Sequence, residues 1–181
     1  MGIEIERKFL VTDDSWKKPH IKGCQIKQGY LKNSSETTVR IRVMGEKGYI
    51  TVKGRVKSAF KDTSYVKKDG DAAEKNITNS KNNITIAKLE FEYEIPLNDA
   101  LEMLELCEKP LIEKMRYKID FMGFEWCIDL FEGDNQGLII AEIELQTEEQ
   151  QFIKPSWAGE EVSGDPRYLN SNLIKKPFSN W

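Results

Sequence analysis

The chain has 181 residues and a formal net charge of −3, which suits one domain (1–181) and argues against a nucleic-acid binder that depends on surplus basic residues. Hydrophobic residues make up 39% of the sequence and aromatic residues 10%, so we expect a folded protein and not a disordered one. No signal peptide is recognisable and no apolar run is long enough to cross a membrane. We therefore expect a cytoplasmic protein with reduced thiols and no membrane partner.

The first ten residues predict a β-strand with one apolar and one charged face. Because successive side chains of a strand point to opposite sides, Glu4, Glu6 and Lys8 share the charged face. A surface strand with its charged face in water would show the same pattern. Repetition argues for another role, since at least five later segments carry two or three like charges on one face.

The following segments predict a weak strand at 23–31 and two clearer strands at 37–43 and 49–53. Strand alternation places Arg40 and Arg42 on one face of the strand at 37–43. It places Lys53 on the polar face of the strand at 49–53. Residues 54–83 are rich in Lys, Asp, Asn and Ser and hold no periodicity, so we expect a long polar loop. A lid over a site is the alternative interpretation of this loop.

A strand at 84–95 carries the next row of charges, with Lys88, Glu90 and Glu92 on one face. Pro96 ends this strand, and a helix is predicted from Asn98, as its N-cap, to about residue 107. Its leucines form an apolar stripe, which indicates that the helix covers part of the fold.

Three more strands are predicted at 111–121, 124–131 and 138–145. Their polar faces carry, in chain order, Lys114 with Arg116, then Asp129, then Glu142 with Glu144. Residues 148–181 predict a helical and irregular C-terminal tail.

Eight antiparallel strands joined mostly by short turns can close into a barrel without edges. The apolar faces could point inward, which gives a small barrel with a charged exterior. Alternatively, the charged faces could line a tunnel while helices cover the apolar faces. The pattern alone leaves both arrangements open. A tunnel would need ligands, since clustered carboxylates attract a divalent cation such as Mg²⁺ or Mn²⁺ and clustered guanidinium groups match phosphate.

Several motifs together resemble one family. Glu4-Ile-Glu6-Arg-Lys8 is similar to the Glu-x-Glu-x-Lys signature of the CYTH superfamily, also called triphosphate tunnel metalloenzymes. It is followed in the order of that family by Val39-Arg-Ile-Arg, Thr51-Val-Lys-Gly, Lys114-Met-Arg and Ala141-Glu-Ile-Glu-Leu. The resemblance covers essentially the whole chain.

The resemblance implies an α+β, mainly β fold, an eight-stranded antiparallel closed β-barrel that forms the triphosphate tunnel and has covering helices. Carried over by position, the implied phosphate ligands are Lys8, Arg40, Arg42, Lys53, Lys114 and Arg116. The implied metal-binding acids are Glu4, Glu6, Asp129, Glu142 and Glu144. The remaining candidates for catalysis are Glu90 and Glu92, which match an acidic pair that binds a second metal or orients water, and Lys88, which stands where relatives often have arginine.

The resemblance further implies metal-dependent hydrolysis of a triphosphate, with inorganic triphosphate as the favoured substrate. A class IV adenylate cyclase and a thiamine triphosphatase are the enzymatic alternatives within the family. A polyphosphate- or nucleotide-binding module is the alternative without catalysis. The expected partner is a triphosphate-containing small molecule, and a homodimer is compatible with this interpretation.

Overall fold

A computed structural model describes residues 5–55, 88–147 and 149–181 of the chain. The strands are β1 (Ile5–Val11), β2 (Gly23–Asn33), β3 (Thr37–Met44), β4 (Lys47–Arg55), β5 (Lys88–Ile95), β6 (Ile112–Phe121), β7 (Phe124–Phe131), β8 (Ile139–Leu145) and β9 (Ala158–Glu161). The α-helices are α1 (Leu97–Glu105) and α2 (Asn170–Leu173), and short 3-10 helices span Gly133–Asn135, Pro166–Tyr168 and Phe178–Asn180. None of the helices in these ranges has the length and hydrophobicity needed to cross a bilayer.

The strands form one antiparallel sheet in the order β5-β4-β3-β2-β6-β7-β8-β1-β9, which confirms the mainly β architecture. The predicted count of eight strands is wrong by one, because β9 pairs with β1 as a short additional strand. Within the described ranges no pairing joins the end strands β5 and β9, so the closed barrel is not confirmed. The single domain at 1–181 also stays a prediction.

Two predicted boundaries differ from the structure. Strand β4 continues to Arg55, so the first two residues of the predicted loop 54–83 belong to a strand, and 56–83 lie outside the described residues. Residues 1–4 and 84–87, which were assigned to the first and fifth predicted strands, also lie outside them. Helix α1 begins at Leu97 with Pro96 in the cap position and no side-chain cap, so Asn98 is not the N-cap.

Helix α1 covers the apolar face of β3 and β4, as its leucine stripe predicts. Ala100 and Leu104 pack there against Ile41 and Val43. The approach is close because β4 has a glycine at the contact: a Cβ atom on Gly48 would lie 2.5 Å from the Cβ atom of Ala100. The helix therefore leaves the opposite, charged face of these strands uncovered.

The apolar face of β1, β7 and β8 is covered by irregular segments instead of a helix. Phe9 and Trp126 pack there against Trp16, Trp157 and the partly buried Phe152. The tail at 148–181 is thus not simply helical, since its first half supplies part of this cover and strand β9. Residue 148 itself lies outside the description.

The second half of the tail crosses to the other face of the sheet. Tyr168, Leu173 and Ile174 pack against Ile112 of β6 and Ile140 of β8. Two residues further along each of these strands, on the same face, the side chain is charged. The inner face of the sheet therefore has an apolar end under the tail and a charged remainder.

Candidate active site

A cavity of about 490 Å³ lies against the charged part of the inner face. Side chains from seven strands, β1 to β6 and β8, line it together with Asn170. The sheet must curl strongly for these strands to face one cavity. Of the two arrangements left open by the sequence, the structure has the charged faces inward. The predicted residues that line the cavity are Glu6, Lys8, Arg40, Arg42, Lys53, Glu90, Glu92, Lys114, Arg116, Glu142 and Glu144.

Three predicted site residues are not in this lining. Asp129 lies behind it with no exposed surface. Glu4 lies outside the described residues. Lys88 is the first residue of β5, where its backbone pairs with that of Arg55, and its side chain is not part of the description.

Lys8 lies between two carboxylates on the neighbouring parts of β1 and β8. Its Nζ atom is 2.7 Å from Oε2 of Glu6 and 2.5 Å from Oε1 of Glu142. Burial alone would lower the pKa of the Lys8 ammonium, but the charges of Glu142 and Glu6 outweigh burial and raise it. Lys8 is therefore charged and held by both acids.

Glu6 differs from Glu142 in its protonation. Burial and the charge of Glu142 raise the pKa of Glu6 to about 7, although Lys8 acts in the opposite direction. Burial would also raise the pKa of Glu142, but Lys114, Lys8 and Arg116 lower it well below its ordinary value. Without a bound cation, Glu142 therefore keeps its negative charge to a lower pH than Glu6 does.

This raised pKa predicts how the stability of the metal-free protein depends on pH. The folded protein binds the Glu6 proton more tightly than the unfolded chain, whose reference pKa is 4.5. Raising the pH from 4.5 to about 7 should therefore lower the free energy of unfolding contributed by this group. Thermal unfolding in EDTA across this window should show a steeper loss of stability in the wild type than in Glu6→Gln. The exposed Glu125→Gln should keep the wild-type slope, and equal slopes in the wild type and Glu6→Gln would contradict the assignment.

Asp129 binds two cations of the neighbouring strand β6. Its Oδ1 accepts a hydrogen bond from Nε of Arg116 at 2.6 Å, and its Oδ2 accepts from Nη2 of Arg116 at 2.6 Å and from Nζ of Lys114 at 2.5 Å. Arg116 Nη2 also donates to Oε2 of Glu142 at 2.5 Å. Burial lowers the pKa of Lys114. The pKa of Arg116 is instead raised, because hydrogen bonding and the charge of Asp129 outweigh burial.

Glu92 on β5 holds two cations of β3 in a comparable way, within the cavity lining. Its carboxylate accepts hydrogen bonds from Arg42 Nη2 at 2.9 Å, from Arg40 Nη2 at 3.1 Å and from Thr51 Oγ1 at 2.6 Å. Burial would raise the pKa of Glu92, but the Thr51 hydroxyl and the two arginines lower it. Next to this group, Lys53 Nζ lies 2.7 Å from Oε2 of Glu90.

Sequence reasoning missed three residues of the site: Gln28, Thr51 and Asn170. Gln28 is 1% exposed and lies opposite Arg42 of β3 and Ile112 of β6. Its strand was weak in the sequence, and only the strand order shows that it stands between two cation-bearing strands. Thr51 had a usable signal, because it shares the polar face of β4 with Lys53.

The acids near Lys8 fit a divalent cation. The oxygens of Glu6 and Glu142 converge on the Lys8 ammonium, which marks a point where positive charge is stabilised. Glu144 lies directly across from Glu6 on β8. In the described ranges no three acidic, histidine or cysteine side chains converge tightly enough to form a complete cage. Carboxylates that leave coordination positions open suit Mg²⁺ or Mn²⁺, which keep water or phosphate oxygens as further ligands.

A comparison against known families agrees with the motifs, the antiparallel sheet and its charged cavity. The sequence model of the CYTH domain matches residues 2–176. The chain belongs to the CYTH family. This confirms the resemblance noted from the Glu-x-Glu-x-Lys signature and from the motifs that follow it.

Named relatives of this CYTH protein share nearly its full length. A curated inorganic triphosphatase of Acetivibrio thermocellus is 47% identical over 182 residues, covering 100% of this chain and 99% of the relative. Another, from Nitrosomonas europaea, is 29% identical and covers 94% and 95%. A crystal structure of an inorganic triphosphatase superposes with a TM-score of 0.62 at 27% identity, covering 96% of this chain and 95% of the other.

Proposed function

We propose that this CYTH protein is a metal-dependent hydrolase that cleaves a phosphoanhydride bond of inorganic triphosphate. The observation that carries the proposal is that cations from β1, β3, β4 and β6 line one cavity beside a carboxylate pair. The names of its relatives from Acetivibrio thermocellus and Nitrosomonas europaea support the same reaction.

The cations of the cavity would hold the phosphate chain from two sides. Arg40, Arg42 and Lys53 lie on β3 and β4, while Lys114 and Arg116 lie on β6, and Lys8 on β1 completes the set. Guanidinium groups bind phosphate oxygens in a fork geometry and lysines add compact charge. A triphosphate extended between these walls would be held with one phosphorus fixed for attack by water.

The acidic set next to Lys8 would hold the metal. Glu6, Glu142 and Glu144 supply carboxylate oxygens on adjacent strands, and Glu4 joins them in the proposal through its place in the signature. When bound, Mg²⁺ or Mn²⁺ would neutralise phosphate oxygens as charge develops on them. The curled sheet would then act as the wall of a tunnel, with barrel closure as part of the proposal.

Glu90 is the candidate for orienting the attacking water. Its carboxylate pairs with Lys53, whereas that of Glu92 is held by two arginines and the Thr51 hydroxyl, so Glu90 is the less constrained of the two. Lys88 remains a prediction for the same reaction, as do a cytoplasmic location and a homodimer.

The proposal is tested by phosphate release from inorganic triphosphate, ATP and thiamine triphosphate, each with Mg²⁺, with Mn²⁺ and with EDTA. We expect rapid cleavage of inorganic triphosphate that EDTA abolishes, and slower cleavage of the other two. Faster cleavage of thiamine triphosphate would contradict the substrate. Formation of pyrophosphate and cyclic AMP from ATP would replace the proposal with the cyclase, and binding without any cleavage would replace it with the binding module.

A further inference from the structure

We propose that Glu92 and Asp129 are positioning residues that hold the phosphate-binding cations in pairs and do not bind the metal, a role that rests on the proposed function of the cavity. The resemblance alone places Asp129 among the metal ligands and leaves Glu92 between a metal and a water-orienting role. The geometry divides the acids differently, according to whether a carboxylate shares one cation with a second carboxylate of the cavity lining.

Asp129 is held by two cations behind the cavity. Both of its oxygens accept hydrogen bonds from Arg116, and one of them also accepts from Lys114. Its side chain has no exposed surface and lies outside the cavity lining. A metal ligand in this cavity must reach the side on which phosphate lies, and Asp129 would have to leave both cations to do so. Its contacts instead fix Lys114 and Arg116, which do line the cavity.

Glu92 is fixed by a similar arrangement across three strands. Arg40, Thr51 and Glu92 are direct cross-strand neighbours on β3, β4 and β5. The Thr51 hydroxyl is completely buried, donates to Glu92 at 2.6 Å and accepts from Arg40 Nη2 at 3.1 Å. The same carboxylate also holds Arg42. Thr51 therefore positions the carboxylate of Glu92, and that carboxylate in turn positions the guanidinium groups of Arg40 and Arg42.

Arg40 and Arg42 also have N–H donors that do not bind Glu92. The Nε atoms of Arg40 and Arg42 are buried and have no hydrogen-bond partner in the described part of the chain. Buried donors are almost always satisfied in a working protein, so these atoms point to a ligand with acceptor oxygens. Glu92 thus orients the pair without using all of its donors.

Glu6 and Glu142 show the opposite pattern. Glu142 also holds Arg116 through Oε2, but its Oε1 and an oxygen of Glu6 converge on one ammonium, that of Lys8. Convergence of two carboxylates on one positive charge is the arrangement that a metal ion can replace. The cavity therefore has two acids that position anion-binding groups and a separate acidic set for the metal.

The test measures the two ligands separately and without turnover. Calorimetry would follow tripolyphosphate binding in EDTA, and Mn²⁺ binding would be followed by its electron paramagnetic resonance in the absence of phosphate. For Asp129→Asn and Glu92→Gln we expect tripolyphosphate affinity to fall by about 10- to 100-fold, the effect of losing hydrogen bonds to charged groups. Mn²⁺ affinity should stay within about threefold of the wild type. Glu142→Gln is the matched variant in which Mn²⁺ affinity should fall.

Loss of Mn²⁺ binding in Asp129→Asn or Glu92→Gln, to the extent seen in Glu142→Gln, would overturn the assignment. A wild type that binds neither ligand would instead contradict the proposed function. Asp129→Asn leaves Lys114 buried with a weaker partner, which could reduce the stability of the fold. Thr51→Val tests the Glu92 group with a milder change, because it replaces only a hydroxyl by a methyl group. It should weaken tripolyphosphate binding and leave Mn²⁺ binding unchanged, and Thr51→Ser should restore the affinity. Unchanged tripolyphosphate affinity in Thr51→Val would contradict the role of Thr51 and Glu92.

Discussion

Replacing Arg116 by methionine should lower triphosphate hydrolysis by about 10³-fold, the size of effect expected when a charge-stabilising donor is removed from a phosphoryl-transfer site. Arg116 is the one cation of the described cavity that binds both Asp129 and Glu142. Methionine keeps the length and apolar stem of the side chain and removes the charge and all donors. Turnover at saturating triphosphate and metal, compared with wild type, measures the effect.

Arg116→Met must be separated from a loss of folding, because removing one partner of a buried ion pair can cost about 3–5 kcal/mol. Thermal unfolding of the same preparation reports this cost. Arg116→Lys retains the charge without the fork and should fall between methionine and wild type. Lys118→Met is the matched control, since Lys118 lies on the same strand and face but is 60% exposed and pairs with Glu125 at the rim. Its activity should stay within about twofold of wild type. Arg116→Met with near-normal turnover would contradict a role in binding triphosphate.

Glu142→Gln should have an effect of similar size, but through the metal. The change keeps the shape of the side chain but removes the negative charge that pairs with Lys8 and Arg116. We expect turnover to fall by about 10²- to 10³-fold, as when a group that stabilises developing charge is lost. The concentration of Mn²⁺ required for half-maximal activity should rise at the same time, and a titration of activity against Mn²⁺ measures both.

Glu125→Gln is the control for this second change. Glu125 is a carboxylate on the same inner face, but it is 59% exposed and its partner is Lys118. Its removal should leave both turnover and Mn²⁺ requirement close to wild type. If Glu142→Gln responded to Mn²⁺ as the wild type does, the metal would have to be held by other residues.

Strand periodicity alone was enough to predict which residues share a face of each strand. Lys8, Arg42 and Glu142 each stand on a face fixed by the two-residue repeat, and that repeat does not depend on which strands are neighbours. The family signature then chose between the two arrangements of the faces, and the cavity lining confirmed the choice.

Contacts between strands could not be predicted in the same way. That Asp129 holds Lys114 and Arg116, or that Thr51 connects Arg40 to Glu92, depends on register and strand order. The ninth strand was missed because Ala158–Glu161 has no alternating pattern of its own and pairs with β1 through an irregular register. The division of the tail between two faces of the sheet was not predicted either, because its apolar residues follow no single period.

The position of Lys8 between Glu6 and Glu142 makes this lysine an internal competitor of the metal. A divalent cation held by these two carboxylates would displace the ammonium, which would then be available to phosphate oxygens. Triphosphate that draws Lys8 away would in turn expose two carboxylates that repel each other until a cation arrives. Under the proposed function, each ligand would prepare the site for the other, and thermodynamic linkage would make this favourable coupling equal in both directions. The cavity would then prefer the metal–triphosphate complex over either component alone.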